Sequence, residues 1–126
     1  MTAILDASAV LALVNAEPGW EQVSEALPDA LISAVNLCEV VGKLTDHGVP
    51  GKEARLLLSG LGLEVVPFDT EEAYAAAALR AFKGGGSLSL GDRACLQLAA
   101  ARNVPVLTAD RYWARVDAGV ELRVIR

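Results

Sequence analysis

Four of the sixteen acidic residues occupy positions where a charged side chain is unexpected. Asp6 ends the apolar run AIL, and Asp110 follows the apolar segment VLTA. Asp92 lies near the start of SLSLGDRACLQLAA, and Glu39 lies in AVNLCEVV among valine, leucine and cysteine. Carboxylates that share a cleft repel one another and resist burial, and a hard divalent cation relieves both effects. The four side chains therefore suggest a metal site built from oxygen ligands.

Oxygen ligands favour Mg²⁺ or Mn²⁺, whereas softer ions prefer imidazole or thiolate. The single histidine, His47, stands at the end of an expected helix, where a structural role is favoured. Cys38 and Cys95 lie in apolar helical patterns without the spacing of a metal site or redox pair. We expect both cysteines in the core of a protein from a reducing compartment. A zinc site, or a nucleophile activated by histidine, has little support.

Each acid also has a purely structural interpretation. Asp is a favoured N-cap, so Asp6 and Asp110 could cap the helices that follow them. Asp92 completes a Ser-x-x-acid capping box. Glu39 stands four residues before Lys43, at the spacing of an exposed ion pair on a helix. If all four interpretations hold, the chain is a non-catalytic acidic α/β interaction module.

Charge and composition limit the classes of partner. The net charge is −5, whereas proteins that bind nucleic acid by charge alone are usually basic. Binding to phosphate would therefore require a bound cation. The chain is 53% hydrophobic with a mean hydropathy of +0.38, which favours an interface with a second copy or a partner. Candidates for that surface, or for the core, are Trp20, Val23, Leu27, Leu56–Leu58 and Leu61.

No apolar run approaches the roughly 20 residues of a membrane span. No basic segment precedes the apolar stretch at the N-terminus, so we expect no signal peptide. These patterns favour a chain that neither spans nor enters a membrane.

The elements that must position the acids alternate between strands and helices. Strands are expected at residues 2–6, 30–32, 63–66, 105–107 and 122–125. Helices are expected at residues 7–16, 18–26, 34–46, 51–60, 70–82, 90–102 and 110–116, with a flexible loop at the glycine run 84–86. This order predicts one α/β domain over residues 1–126, with helices flanking a parallel sheet. Ligands of such sheets bind beyond the carboxyl ends of the strands, where Asp6 and Asp110 fall.

The segments ILDASAV, ISAVNLCEVV, SLSLGDRACLQLAA and VLTADRYWARV resemble the PIN-domain family, most of all its VapC-type toxins from prokaryotic toxin–antitoxin pairs. The resemblance covers essentially the whole chain, with the segments in the family's order. It implies a PIN-like three-layer α/β/α sandwich with a central, mostly parallel sheet. It also implies a metal-dependent endoribonuclease whose catalytic and metal-binding residues are Asp6, Glu39, Asp92 and Asp110, with Mg²⁺ or Mn²⁺ as the cofactor.

Other residues have supporting roles in this interpretation. Three side chains close to the acids are expected to order the site: Ser8, Asn36 and Thr108. Three arginines near the acidic motifs are candidate contacts for the flanking phosphates of RNA: Arg93, Arg111 and Arg115. Arg93 and Arg111 could equally be solvated residues at helix starts.

The resemblance further implies a small VapB-like antitoxin that covers the site, a homodimer, and a prokaryotic cytoplasmic location. A single-stranded or looped RNA is the expected substrate, because a splayed strand enters a cleft that a stacked duplex cannot enter. One further alternative is a phosphotransferase of the haloacid-dehalogenase type, which also places an aspartate after its first strand. Such an enzyme would need a second acid two residues later, where this chain has Ser8.

Overall fold

The computed structural model describes residues 2–82, 85–111, 113 and 119–126. The strands in this part of the chain are β1 (Ala3–Leu5), β2 (Ala30–Ser33), β3 (Glu64–Val66), β4 (Val106–Thr108) and β5 (Leu122–Val124). The α-helices are α1 (Ala7–Val14), α2 (Trp20–Ala26), α3 (Ala34–Asp46), α4 (Gly51–Gly60), α5 (Thr70–Ala78) and α6 (Leu90–Arg102). Short 3₁₀ turns cover Leu27–Asp29, Leu79–Ala81 and Gly85–Ser87.

The five strands form one sheet in the order β3-β2-β1-β4-β5, and each described pair is parallel. After β1, the chain first adds β2 and β3 on one side of β1. It later adds β4 and β5 on the other side of β1. The carboxyl ends of β1 and β4 therefore meet at the point where the strand order reverses, which is the usual ligand position in such sheets. The predicted α/β/α sandwich is confirmed, with a sheet that is parallel throughout the described strands.

Alternation along β1 separates two hydrophobic cores. Ala3 and Leu5 pack into a core that includes buried residues of α1, α2, α3 and α4. Ile4, between them, packs into a second core that includes buried residues of α6. Burial of a side chain of this size contributes about 1.5–3 kcal/mol, so a one-residue slip of β1 would be strongly disfavoured. The register of β1 fixes the position of the residue that follows it.

Helix α2 begins at Trp20 and not at Pro18 as expected from the sequence. The residue between them, Gly19, has a φ of +93°, in the left-handed region that favours glycine. A Cβ at Gly19 would also overlap the carbonyl oxygen of Ile125. The glycine therefore lets the turn between α1 and α2 contact the chain that follows β5.

The glycine run was expected to form a flexible loop; its described part adopts a regular turn, and its flexibility stays a prediction. Gly85–Ser87 forms a 3₁₀ turn, and Gly85 is buried where a Cβ would overlap the carbonyl oxygen of Leu79. Helix α5 also ends at Ala78, before the expected boundary at residue 82. Most of the helix expected over 110–116 lies outside the described residues, as does Arg115.

The surface differs from the sequence-based expectation at one cysteine. Cys95 is buried, as expected, but Cys38 is exposed on α3. Among the apolar candidates, Val23 is fully buried, whereas Leu56 and Leu57 on α4 are 75% and 42% exposed. The exposed apolar surface is thus present on α4. Within the described ranges, no helix combines the length and apolar character needed to cross a bilayer.

Candidate active site

Asp6 is the most buried of the four acids, with 4% of its surface exposed. Its Oδ1 accepts hydrogen bonds from Ser8 Oγ at 2.7 Å and from the backbone N–H of Ala9 at 2.8 Å. Its Oδ2 accepts a hydrogen bond from Thr108 Oγ1 at 2.6 Å. The first turn of α1 and the end of β4 thus hold both oxygens of one carboxylate.

The backbone after β4 orients the two hydroxyls. Ala109 N–H donates to Ser8 Oγ, and Asp110 N–H donates to Thr108 Oγ1, both at 2.9 Å. Each hydroxyl has a single proton, and both protons are used in bonds to Asp6. The 3.4 Å separation of Ser8 Oγ from Thr108 Oγ1 is therefore a contact and not a hydrogen bond. This cluster fixes the backbone of Asp110 relative to the carboxylate of Asp6.

Burial raises the pKa of Asp6 from its ordinary value of 3.8 to about 6. The three hydrogen bonds lower this pKa and the nearby charge of Asp92 raises it, but desolvation is the largest cause. Burial also raises the pKa of the Cys95 thiol, and the charges of Asp6, Asp92 and Glu39 raise it further. Cys95 therefore stays protonated, which makes it a poor metal ligand.

Glu39 is held by a contact between α3 and the start of α6. Asn36 Nδ2 donates to Glu39 Oε1 at 2.8 Å and to the carbonyl oxygen of Gly91 at 3.0 Å. A Cβ at Gly91 would overlap the Glu39 carboxylate. The ion pair considered for Glu39 and Lys43 does not form, since no contact between their charged groups lies within salt-bridge distance. Glu39 is positioned by Asn36 and Gly91 instead.

Asp92 and Ser89 form the capping box that the sequence predicts. Ser89 N–H donates to Asp92 Oδ2 at 3.0 Å, and Asp92 N–H donates to Ser89 Oγ at 3.1 Å. Asp6 is likewise the N-cap of α1. Nevertheless, all four acids line one cavity of about 230 Å³. Its lining also includes Ser8, Leu11, Asn36, Lys43 and Trp113. Capping and facing the cavity are compatible roles for Asp6 and Asp92.

The structure describes two of the three candidate arginines, Arg93 and Arg111. Neither Arg93 nor Arg111 is among the described residues that line the cavity. Arg111 Nε instead donates to the backbone carbonyl oxygen of Arg126 at 2.8 Å. Among the described residues, the cation that lines the cavity is Lys43, which sequence reasoning had treated only as an ion-pair partner. Phosphate binding by the arginines stays a prediction.

Two further residues of the site were missed. Trp113 is 2% exposed and lines the cavity, although nothing in its local sequence distinguishes it from a core residue. Gly91 could have been noticed, because a glycine in the first turn of a helix and next to an acid often permits a close approach. Its partner, Glu39, is 52 residues away in the sequence. The contact that requires a glycine at position 91 is therefore visible only in the folded chain.

The donor set fits a hard divalent cation. The acids that line the cavity offer carboxylate oxygens, and Asn36 adds a buried Oδ1 without a hydrogen-bond partner. Among the residues that the structure describes, no three acidic, His or Cys side chains are grouped closely enough to hold one ion together. Mg²⁺ is usually bound by one or two carboxylates and otherwise by water and substrate phosphates. The arrangement is thus compatible with an ion held by one or two of these acids.

A PIN domain family model matches residues 3–119. The chain belongs to the PIN domain family. PIN domains are generally nucleases, so membership removes the basis of the haloacid-dehalogenase alternative. Comparison with curated protein sequences gives no significant match.

Solved structures share the fold of this PIN domain over nearly its whole length. The structure of VapBC2 from Rickettsia felis bound to a promoter DNA fragment contains a chain with a TM-score of 0.76 and 17% identity, and the match covers 98% of each chain. A chain of DNA-bound VapBC from Salmonella typhimurium has a TM-score of 0.75 and 20% identity, with full coverage of both chains. A chain of VapBC-5 from Mycobacterium tuberculosis has a TM-score of 0.61 and 25% identity, and the match covers 99% of this chain and 98% of that one.

The position of Gly91 gives a first testable prediction. Gly91→Ala is expected to push the Glu39 carboxylate away from Asn36 and to reduce any nuclease activity of this PIN domain by about 10- to 100-fold, as a displacement near 1 Å can do. Gly42→Ala is the matched control, because Gly42 lies on the same helix as Glu39 and a Cβ there meets nothing within 4 Å. The control should keep its activity and gain about 0.5–1 kcal/mol in unfolding free energy. Equal activities of the two variants would show that the position of Glu39 does not matter.

Proposed function

We propose that this PIN domain is a VapC-like toxin, a divalent-metal-dependent endoribonuclease that a small cognate antitoxin inhibits. The observation that carries the proposal is the cavity at the carboxyl ends of β1 and β4, which is lined by Asp6, Glu39, Asp92 and Asp110. Membership of the PIN family supports nuclease chemistry, and the similarity to chains of toxin–antitoxin complexes supports the toxin role.

A bound Mg²⁺ or Mn²⁺ would lower the pKa of an attacking water and neutralise the scissile phosphate. One or two of the four acids would hold this ion. Asp6 is the best-ordered candidate, since three hydrogen-bond donors fix its carboxylate. Glu39 uses Oε1 to accept from Asn36, which leaves Oε2 to orient the attacking water and accept its proton. Attack by water leaves a 5′-phosphate and a 3′-hydroxyl on the products.

The burial of Asp6 favours a single-stranded or looped RNA as the substrate. With 4% of its surface exposed, Asp6 lies at the base of the cavity. A phosphodiester must enter the cavity to approach it, and an unstacked strand can do so more readily than an A-form duplex. An antitoxin segment that filled the same cavity would exclude RNA from the acids.

The surface of α4 carries exposed apolar side chains, which favour contact with another protein. Leu56 and Leu57 of α4 are exposed, and exposed apolar clusters mark contact sites between proteins. We assign a homodimer to this protein, with α4 as the candidate contact. The proposal places the toxin and its antitoxin in a prokaryotic cytoplasm.

Cleavage of labelled total RNA by purified protein, free of antitoxin, tests the proposed function. We expect discrete fragments with 5′-phosphate ends in Mg²⁺ or Mn²⁺, no fragments in EDTA, and none with Asp6→Ala. Circular dichroism would establish that each protein is folded. The alternative is the non-catalytic interaction module, which the capping bonds of Asp6 and Asp92 favour. A folded wild-type protein that makes no metal-dependent cut would support that alternative.

A further inference from the structure

A second cavity, of about 440 Å³, neighbours the acidic one. Three residues line both of them: Ser8, Leu11 and Lys43. The second cavity extends to His47 and Val49 at the carboxyl-terminal end of α3. A ligand that passes beyond the acids along α3 would therefore enter it. We call this second cavity the α3 groove.

The charged residues that line the α3 groove differ from those that line the acidic cavity. Glu17 is the one carboxylate side chain among the described residues that line the groove, and Arg126 Nη1 binds its Oε1 at 3.1 Å. The charge of Lys43 remains without an ion pair among the described residues. His47 Nδ1 lies 2.8 Å from the carbonyl oxygen of Lys43 and donates to it, because a carbonyl can only accept. Among the described lining residues, Lys43 thus gives the groove one positive charge without an ion-pair partner, in a chain with a net charge of −5.

Apolar side chains form part of the remaining walls of the groove, together with the polar residues Ser8 and Asn15. Leu11, Leu44 and Val49 line it, and its volume falls within the range of sites for small ligands. A nucleotide combines an anionic phosphate with a ribose and a flat base that packs against apolar or aromatic side chains. The positive charge of Lys43 matches the phosphate, and the apolar side chains match the ribose and the base.

We propose that the α3 groove binds the nucleotide next to the scissile phosphate of a single-stranded RNA. Lys43 contacts the phosphate of that nucleotide, and Leu11, Leu44 and Val49 contact its ribose and base. His47 packs at the end of the groove. This assignment rests on the proposed ribonuclease function and adds a path for the strand to it, since RNA that leaves the acids follows α3.

The test measures RNA affinity in protein that carries Asp92→Asn to suppress cleavage. A fluorescein-labelled single-stranded RNA of random sequence is titrated in Mg²⁺ at several salt concentrations, and its anisotropy gives the Kd. Lys43→Gln should weaken binding about fivefold at low salt and lower the slope of log K against log salt by about 0.7, the value for one lost phosphate contact. Lys43→Arg should restore the slope, because it restores the charge. Lys52→Gln on α4 is the matched control; Lys52 is exposed and is not among the described residues that line either cavity.

The outcomes separate this assignment from the proposed function. An equal Kd and salt slope for Lys43→Gln and Lys52→Gln would overturn the groove assignment, even while the wild-type protein cleaves RNA. Weaker binding by Lys43→Gln alone, with rescue by Lys43→Arg, would show that Lys43 contacts a phosphate of the RNA, as the assignment requires. A wild-type protein that cleaves no RNA in Mg²⁺ or Mn²⁺ would overturn the proposed function, and the groove assignment would fall with it.

Discussion

Asp92→Asn is expected to lower the rate of metal-dependent RNA cleavage at least about a hundredfold while the fold stays intact. Asparagine has the shape of aspartate, and its side-chain oxygen can still accept the hydrogen bond from Ser89 N–H. The bond from the backbone N–H of residue 92 to Ser89 Oγ is unchanged. The substitution therefore removes the charge from the cavity and retains the helix cap. Initial rates of RNA cleavage in Mg²⁺, with thermal unfolding measured on the same samples, give the result.

Asp69→Asn is the matched control for this variant. Asp69 caps α5 by accepting hydrogen bonds from the backbone N–H groups of Glu71 and Glu72, at 3.0 and 3.2 Å. It is not among the described residues that line the acidic cavity. Both variants should lose no more than about 1 kcal/mol of unfolding free energy, the usual contribution of an N-cap. If Asp92→Asn cleaves RNA as fast as Asp69→Asn does, then Asp92 is a helix cap and nothing more.

Addition of Mn²⁺ separates the same two variants without an activity assay. An ion that binds the folded protein alone raises the midpoint of thermal unfolding by mass action. Wild type and Asp69→Asn should both show this increase, and Asp92→Asn should show less of it. Failure of Mn²⁺ to stabilise the wild-type protein would point to the interaction module.

The order of elements was predictable because its causes are local. Ser33 and Ser89 cap α3 and α6, and both helix starts agree with the expected positions. Apolar runs bounded by turn residues located the strands to within one or two residues. The placement of two candidate site residues was predictable for the same reason: Asp6 directly follows β1, Asp110 lies two residues after β4, and the carboxyl ends of these strands meet.

The features that escaped prediction depend on contacts between distant residues. Gly19 is needed because Ile125 packs against it, more than one hundred positions later in the chain. The spacing of Glu39 and Lys43 is compatible with an ion pair, but Asn36 and Gly91 hold the Glu39 carboxylate elsewhere. Spacing along a helix gives the residues that could meet, and tertiary contacts select the pairs that form.

Without divalent cations, the free energy of unfolding is expected to fall as the pH rises from about 4 to 7. The pKa of Asp6 is raised from 3.8 to about 6 by burial, so the folded state binds this proton more tightly than the unfolded chain does. The stabilisation that the protonated Asp6 carboxyl adds to the free energy of unfolding is fully present below about pH 4. It is lost as the pH rises through about 6. The loss is on the order of 3 kcal/mol for a shift of this size. Urea denaturation in EDTA across this pH range measures it.

Asp6→Asn isolates the contribution of this one carboxyl. Asparagine cannot ionise and is itself a good N-cap, so the variant should fold and should lack the part of the decline that Asp6 causes. Asp69→Asn, which retains Asp6, should show the same decline as the wild-type protein. If the unfolding free energies of wild type and Asp6→Asn change in parallel with pH, the pKa of Asp6 is the same in the folded and the unfolded protein. Burial then does not disfavour the charged form of Asp6. If the profiles diverge above pH 5 and saturating Mg²⁺ reduces the divergence, the same carboxylate that weakens the metal-free fold is the one that binds the ion.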